Sequence, residues 1–203
     1  MKQRMSRKQK TPQQNTFHLT RYAFHEAGHA LVGHVIGRCI SEVSILGDRM
    51  EGYHGYCAFD ALEEAWQGFS QWGDGRQNAE CITIMYAGTI ALRMLCEQRG
   101  WNYQRWRGID HADFDTIYHW SIDMFDTDEE RHAIQKQCQK QAGEILTQHW
   151  KAVEVLAHQL QMQGWLSGKE AHSIIWQALG EDADWRRDGG RIMSNHSAFD
   201  TEV

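Results

Sequence analysis

A single proline, Pro12, stands in a chain of 203 residues. Proline breaks helix interiors by removing a donor and clashing with the preceding turn, so its near absence permits helices of many turns. The apolar spacing calls for them. From Thr20 to Gly37 the residues Tyr22, Ala23, Ala27, Ala30, Leu31 and Val35 recur at three- and four-residue intervals, which predicts a helix with Thr20 as its cap. Residues 76–98 predict a second long helix, apolar nearly all round in its middle and therefore core, closed by Gly100. Its most apolar run, from Cys81 to Leu92, stops at Arg93 and falls short of the roughly 20 residues that span a bilayer.

Three more helical stretches follow. One opens at Asp110 or Ala112 and runs toward Phe125. The next is capped by Asp128, reaches about Met162 with a break near Gly143, and is stopped by Gly164. Ser167 and Glu170 then fit the Ser-x-x-Glu capping box at the head of a last helix, which ends near Leu179 with Gly180 just beyond it. A short helix over residues 61–71 is expected to end at Gly73. Residues 40–46 and 53–59 are β-rich and flank a loop bounded by Gly47 and Gly52, which predicts a small hairpin. The expected fold is therefore mainly α with a small β-hairpin. It forms one domain over residues 17–180, between a basic flexible tail at 1–16 and a polar flexible tail at 181–203.

Composition narrows the classes of function. Hydrophobic residues at 41% and charged residues at 24% are ordinary for a globular chain and exclude wholesale disorder. A net charge of -6 argues against a general nucleic-acid binder, which needs a basic face. The charge is uneven: Lys2, Arg4, Arg7, Lys8 and Lys10 crowd the start, whereas residues 110–130 carry many carboxylates and neither Lys nor Arg. The first sixteen residues lack the apolar segment of a secretory signal, so a cytoplasmic protein without a membrane span is expected. Cys39, Cys57, Cys81, Cys96 and Cys138 form no C-x-x-C pair, so buried free thiols are expected rather than disulfides or a thiolate metal site.

The chemistry concentrates on the first helix, in His25-Glu26-Ala27-Gly28-His29. Two histidines four residues apart lie about 40° apart around a helix, so both imidazoles project to one side and can bind one zinc ion. Glu26, beside them, is placed to take a proton from an activated water and return it to a leaving amine. The competing reading is a helix with two surface histidines and a solvated glutamate. Small neighbours at Ala27, Gly28 and Ala30, which leave room for a substrate or another helix, favour the zinc reading.

Such a site needs a third protein ligand. His34, five residues beyond His29, faces about 140° away and is read as packed or solvent-exposed. Gly33 and His34 also miss the metzincin spacing by one residue. The acidic stretch from Gly108 to Asp115 is the best source, although its acids could equally serve a helix N-terminus. The segment from Trp101 to Gly108 mixes aromatics and arginines, and suits either a cleft rim or a loop packed by its own rings.

The run from Tyr22 to Gly33, Tyr-Ala-Phe-His-Glu-Ala-Gly-His-Ala-Leu-Val-Gly, closely resembles the metal helix of the zinc peptidase domain of FtsH-type ATP-dependent proteases. Tyr86-Ala87-Gly88 is similar to that family's Leu-Ala-Gly segment. Gly108 to Phe114 resembles its glycine-to-aspartate stretch, and residues 156–160 through 166–170 resemble its helical end. The likeness covers about residues 17–178. It implies a zinc-dependent endopeptidase in which His25, His29 and Asp113 hold the metal and Glu26 is the general base. Asp110 is the fallback ligand, because the glycine-to-aspartate spacing is one residue longer than the family's; Asp115 and His111 are expected to be solvent-facing or to support the ligands.

Two departures matter. Leu92 stands where the family carries a glutamate, and no P-loop accompanies the domain: Gly168-Lys169 is followed by Glu170 and reads as a helix cap. The resemblance thus implies a stand-alone peptidase for unfolded or flexible substrates, with an extended substrate lying along residues 53–59, or one served by a separate ATPase or adaptor. It leaves a ring-like oligomer open. The alternatives are a zinc-binding interaction protein without turnover, and a regulatory protease that cuts one partner.

Overall fold

The computed structural model describes residues 12–46, 55–60, 75–106 and 111–180. Within them the chain forms helix α1 (Pro12–Val35), strands β1 (Ile40–Ser44) and β2 (Tyr56–Phe59), and helix α2 (Gly75–Arg99). A short 3₁₀ turn (Tyr103–Trp106) leads to α3 (His111–Met124), α4 (Asp128–Gln148) and α5 (Trp150–Gln163). Strand β3 (Trp165–Ser167) and α6 (Gly168–Leu179) complete the order. The fold is mainly helical with one small sheet. The expected loop at 47–52, the helix at 61–71, Asp110 and most of both expected tails lie outside the described residues.

Helix α1 is the centre of the molecule and packs against α2, α5 and the sheet. Its buried face is built from small and aliphatic residues: Ala23, Ala27, Ala30, Leu31 and Val32. At Gly28 an added Cβ would lie 2.7 Å from both the Ala87 carbonyl oxygen and the Ala91 Cβ, so glycine there lets α1 and α2 cross in backbone contact. Ile82, Ile84, Leu92 and Leu95 of α2, Leu146 of α4, Leu156 and Leu160 of α5, and Ile175 of α6 fill the remaining core. By length and composition, residues 78–99 of α2 are apolar enough to cross a membrane, a longer window than the Cys81–Leu92 run suggested; in the fold most of that window is buried within the protein.

The sheet has the order β2-β1-β3, with both pairs antiparallel. Val43 faces Cys57 on one side and Leu166 on the other. The expected hairpin is therefore the larger part of a three-stranded sheet. The third strand, Trp-Leu-Ser, is too short to show a period of two, and it merges directly into the α6 capping box, where Ser167 accepts from the Glu170 N–H and Glu170 reaches back to the Ser167 N–H.

Several boundaries differ from expectation, each for a local reason. Helix α1 begins at Pro12, so residues 12–16, expected in the tail, are helical; proline is pre-organised for the first helical position and needs no donor there. Thr20 is then interior, and its hydroxyl donates to Gln161 of α5 instead of capping. Thr127, not Asp128, caps α4 through a capping box with Glu130, and Asp128 pairs with Arg131 one turn on. The α4–α5 break falls at His149 and not at Gly143, whose backbone stays helical. The expected stops hold at Gly100, Gly164 and Gly180, all with positive φ. The five cysteines are free thiols, Cys81, Cys96 and Cys138 buried and Cys39 and Cys57 partly so.

Candidate metal centre

Helix α1 presents His25, Glu26 and His29, all buried, in the middle of the fold. Asp113, the third residue of α3, comes to the same point from the other side. His25 Nε2 lies 3.0 Å from His29 Nε2 and 3.0 Å from Asp113 Oδ2, and His29 Nε2 lies 3.4 Å from that same oxygen. A tetrahedral zinc with bonds of about 2.0–2.1 Å sets its ligand atoms roughly 3.3 Å apart, so the triangle has the size of one face of such a site. The donor set, two imidazole nitrogens and a carboxylate oxygen, suits zinc as well. Asp113 Oδ2 is buried, and both imidazole Nε2 atoms lie within 3.4 Å of it, as expected of three donor atoms directed at a shared centre.

The surroundings orient these atoms. His29 Nδ1 donates to the Ile84 carbonyl oxygen of α2 at 2.7 Å, which leaves the lone pair of the neutral ring on Nε2, toward His25 and Asp113. Helix α2 can come this close because Gly88 lies over the two rings: an added Cβ would overlap His29 Nε2 and stand 2.6 Å from His25 Cε1. Gly88 and the Ile84 carbonyl were not among the predicted site residues; a glycine inside an otherwise apolar helix was the available signal.

Charge couples the cluster. Burial disfavours the imidazolium of His29, but Asp113 outweighs it, and with the Ile84 hydrogen bond raises the ring's pKa to about 9 in the metal-free protein. Burial likewise opposes the Asp113 carboxylate, and the neighbouring His29 and His25 more than offset this, holding it below the usual carboxylate range. For Glu26 burial dominates and raises the pKa despite the two histidines. A buried carboxylate of raised pKa is a stronger base than one in water.

Glu26 also touches the sheet. An added Cβ at Gly55, immediately before β2, would lie 2.6 Å from Glu26 Oε1 and 3.1 Å from the Ser44 carbonyl oxygen. The first residues of this strand therefore run directly past the carboxylate. Burial and the nearby Glu26 together push the Cys57 thiol up, which disfavours its thiolate form.

The remaining predicted residues separate clearly. His34 is packed away from the cluster: its Nδ1 lies 2.7 Å from Nδ1 of His172 on α6, and its ring meets Trp176 edge-on. The Ile40 N–H donates to His172 Nε2, so the neutral His172 ring carries its proton on Nδ1 and donates to His34. This pair ties α1, β1 and α6 together. His111 and Asp115 face solvent. Leu92 is fully buried core. In the aromatic segment, the Tyr103 ring stacks under the Arg93 guanidinium at 5.0 Å, and Trp101 packs against the core. No protein-family model matches this chain, and no curated protein matches it.

Proposed function

We propose that this protein is a zinc-dependent metallopeptidase, similar to the peptidase domain of FtsH-type proteases, that acts on unfolded or flexible chains in the cytoplasm. The observation that carries the reading is the convergence of His25 Nε2, His29 Nε2 and Asp113 Oδ2 within 3.0–3.4 Å of one another beside a buried Glu26. When bound, zinc supplies a Lewis acid that acidifies water and polarises a carbonyl. His25, His29 and Asp113 would hold it. Glu26 takes the proton of the attacking water on its carboxylate and delivers it to the leaving amide nitrogen, so the amine departs neutral.

The sheet supports one placement of the substrate. Among the described residues strand β2 lies at an edge of the sheet, and the Gly55 end passes Glu26. An extended peptide that adds to β2 through main-chain hydrogen bonds brings a peptide bond to the carboxylate without requiring particular side chains. Such addition needs an extended segment with unpaired main-chain groups, which unfolded or flexible chains offer most freely, supplied directly or by a separate ATPase or adaptor.

A second reading rests on Leu92, which fills with core hydrocarbon the place where the resembling family carries a glutamate. On it the site binds zinc as a structural or interaction element without turnover. Unfolded casein incubated with zinc-loaded wild-type protein and with Glu26→Gln separates the two. The peptidase reading expects cleavage by wild type and a loss of at least about 100-fold in the variant. Equal turnover, or none in either, refutes it.

A further inference from the structure

Helix α3 brings Asp113 to the cluster and turns an apolar stripe to solvent. Phe114, Tyr118 and Ile122, spaced four residues apart, are 40%, 59% and 40% exposed. The three lie along one side of the helix over about 12 Å. Single exposed apolar residues are ordinary, whereas an aligned set of three large ones on one helix face forms a continuous apolar surface that a partner can cover.

Two observations say which partner. First, the stripe is continuous with the candidate centre: Phe114 directly follows Asp113, and its ring packs edge-on at 6.3 Å against Tyr86, two residues before the Gly88 that seats the histidines. A chain that leaves the cluster along α3 meets Phe114 first and Tyr118 and Ile122 next. Second, the surface is acidic. Residues 111–130 contain neither Lys nor Arg, and Asp115, Asp126, Asp128 and Glu129 are exposed. Of these, Asp128 is paired with Arg131. Arg131 also donates to the Phe125 carbonyl oxygen at 2.8 Å, so the part of the stripe that favours cations over anionic chains is the Asp115 side, away from the end of α3.

We propose that the Phe114–Tyr118–Ile122 face is an exosite for the part of a substrate chain remote from the scissile bond, and that it selects segments combining apolar residues with Lys or Arg. The proposal deepens the peptidase reading and rests on it for the word substrate. The binding event itself does not depend on catalysis. Apolar side chains of the segment cover the stripe while its cations meet Asp115, three residues before Tyr118 and seven before Ile122 and therefore on the same side of α3.

The test measures binding by fluorescence anisotropy with the Glu26→Gln protein, so that no probe is consumed. The probes are three labelled peptides of equal length, built from Leu and Lys, from Leu and Glu, and from Ser and Lys. The Leu–Lys peptide is expected to bind most tightly and to weaken with salt. Tyr118→Ser with Ile122→Ser should reduce its affinity about tenfold, and Asp115→Lys should reduce it through charge alone. Unchanged thermal unfolding of each variant shows that the fold is intact. Equal binding of the Leu–Glu peptide, or unaltered binding by the Ser variant, overturns the proposal. So does a Ser variant whose sole effect is to split a dimer, which would assign the face to a second copy of this chain. The same peptides incubated with zinc-loaded wild type keep the two readings apart: selective binding without cleavage leaves the exosite standing and removes the peptidase, whereas cleavage with unselective binding removes the exosite alone.

Discussion

Gly88 of α2 lies so close to His29 of α1 that a methyl group on the glycine would occupy the space of the imidazole Nε2. The pair links the packing of the two central helices to the chemistry of the centre. Ile84, one turn earlier, holds the opposite nitrogen of the same ring at 2.7 Å. One helix thus both orients His29 and sets how close its own backbone comes.

Gly88→Ala should therefore damage the centre more than the fold. Alanine is the better helix former by about 1 kcal/mol, so propensity alone favours the variant. The added methyl must displace His29 or His25, and a loss of about 10- to 100-fold in zinc affinity is expected, the range seen when support for metal ligands is removed. Competition against a chromogenic chelator measures it. An affinity equal to wild type would mean that the rings move aside without cost.

The choice of third ligand is checked by a pair of variants. Asp113→Ala removes the one carboxylate that, among the described residues, lies within 3.4 Å of both imidazole nitrogens, and should abolish stoichiometric zinc binding. Asp110→Ala should leave one zinc per chain. Metal content after gel filtration decides between them, and a reversed pattern would transfer the ligand to Asp110.

Zinc binding should release the His29 proton at pH 7. In the metal-free protein burial acts against the charged His29 ring, but Asp113 raises its pKa to about 9, so the ring is protonated at neutral pH and must lose its proton to bind. Asp113 is already ionised and contributes none. Apparent affinity should rise about tenfold per pH unit between roughly pH 7 and 9, then level off. Titration calorimetry in buffers of different ionisation enthalpy counts the protons. A count near zero at pH 7 contradicts the coupling between His29 and Asp113.

Acid should loosen the junction of α1, β1 and α6. Burial, with a smaller effect from His172, lowers His34 to about 3, below the ordinary value of 6.5. Below about pH 6.5 the unfolded chain takes a proton at this position that the folded chain refuses, so stability falls as pH drops from 6.5 toward 3 and is unaffected by this residue above 6.5. The wild-type slope should exceed that of His34→Gln by roughly 1 kcal/mol per pH unit in that window. Urea unfolding at pH 7 and pH 5 tests it, and parallel slopes would rule it out.

Much of this was legible before the structure, for identifiable reasons. His25 and His29 follow from helical geometry alone, since a four-residue spacing forces both rings to one side. The caps at Ser167, Gly164 and Gly180 were readable because capping depends on a few residue types at fixed offsets. Asp113 was a different matter. Spacing left several acids equivalent, and only the resemblance singled one out, because the contact between α3 and α1 is a product of tertiary packing. The third strand was hidden by its length, and the helix start at Pro12 by a polar sequence with no apolar period. The His34–His172 pair joins residues 138 apart in sequence, a relation no local pattern encodes.

Anomalous diffraction at the zinc absorption edge from crystals of the zinc-loaded protein measures directly whether three named atoms hold one metal ion. The expected result is one strong peak about 2.0–2.2 Å from His25 Nε2, His29 Nε2 and Asp113 Oδ2, with Glu26 beside it but not bound. A peak elsewhere, or none at full zinc loading, would contradict it.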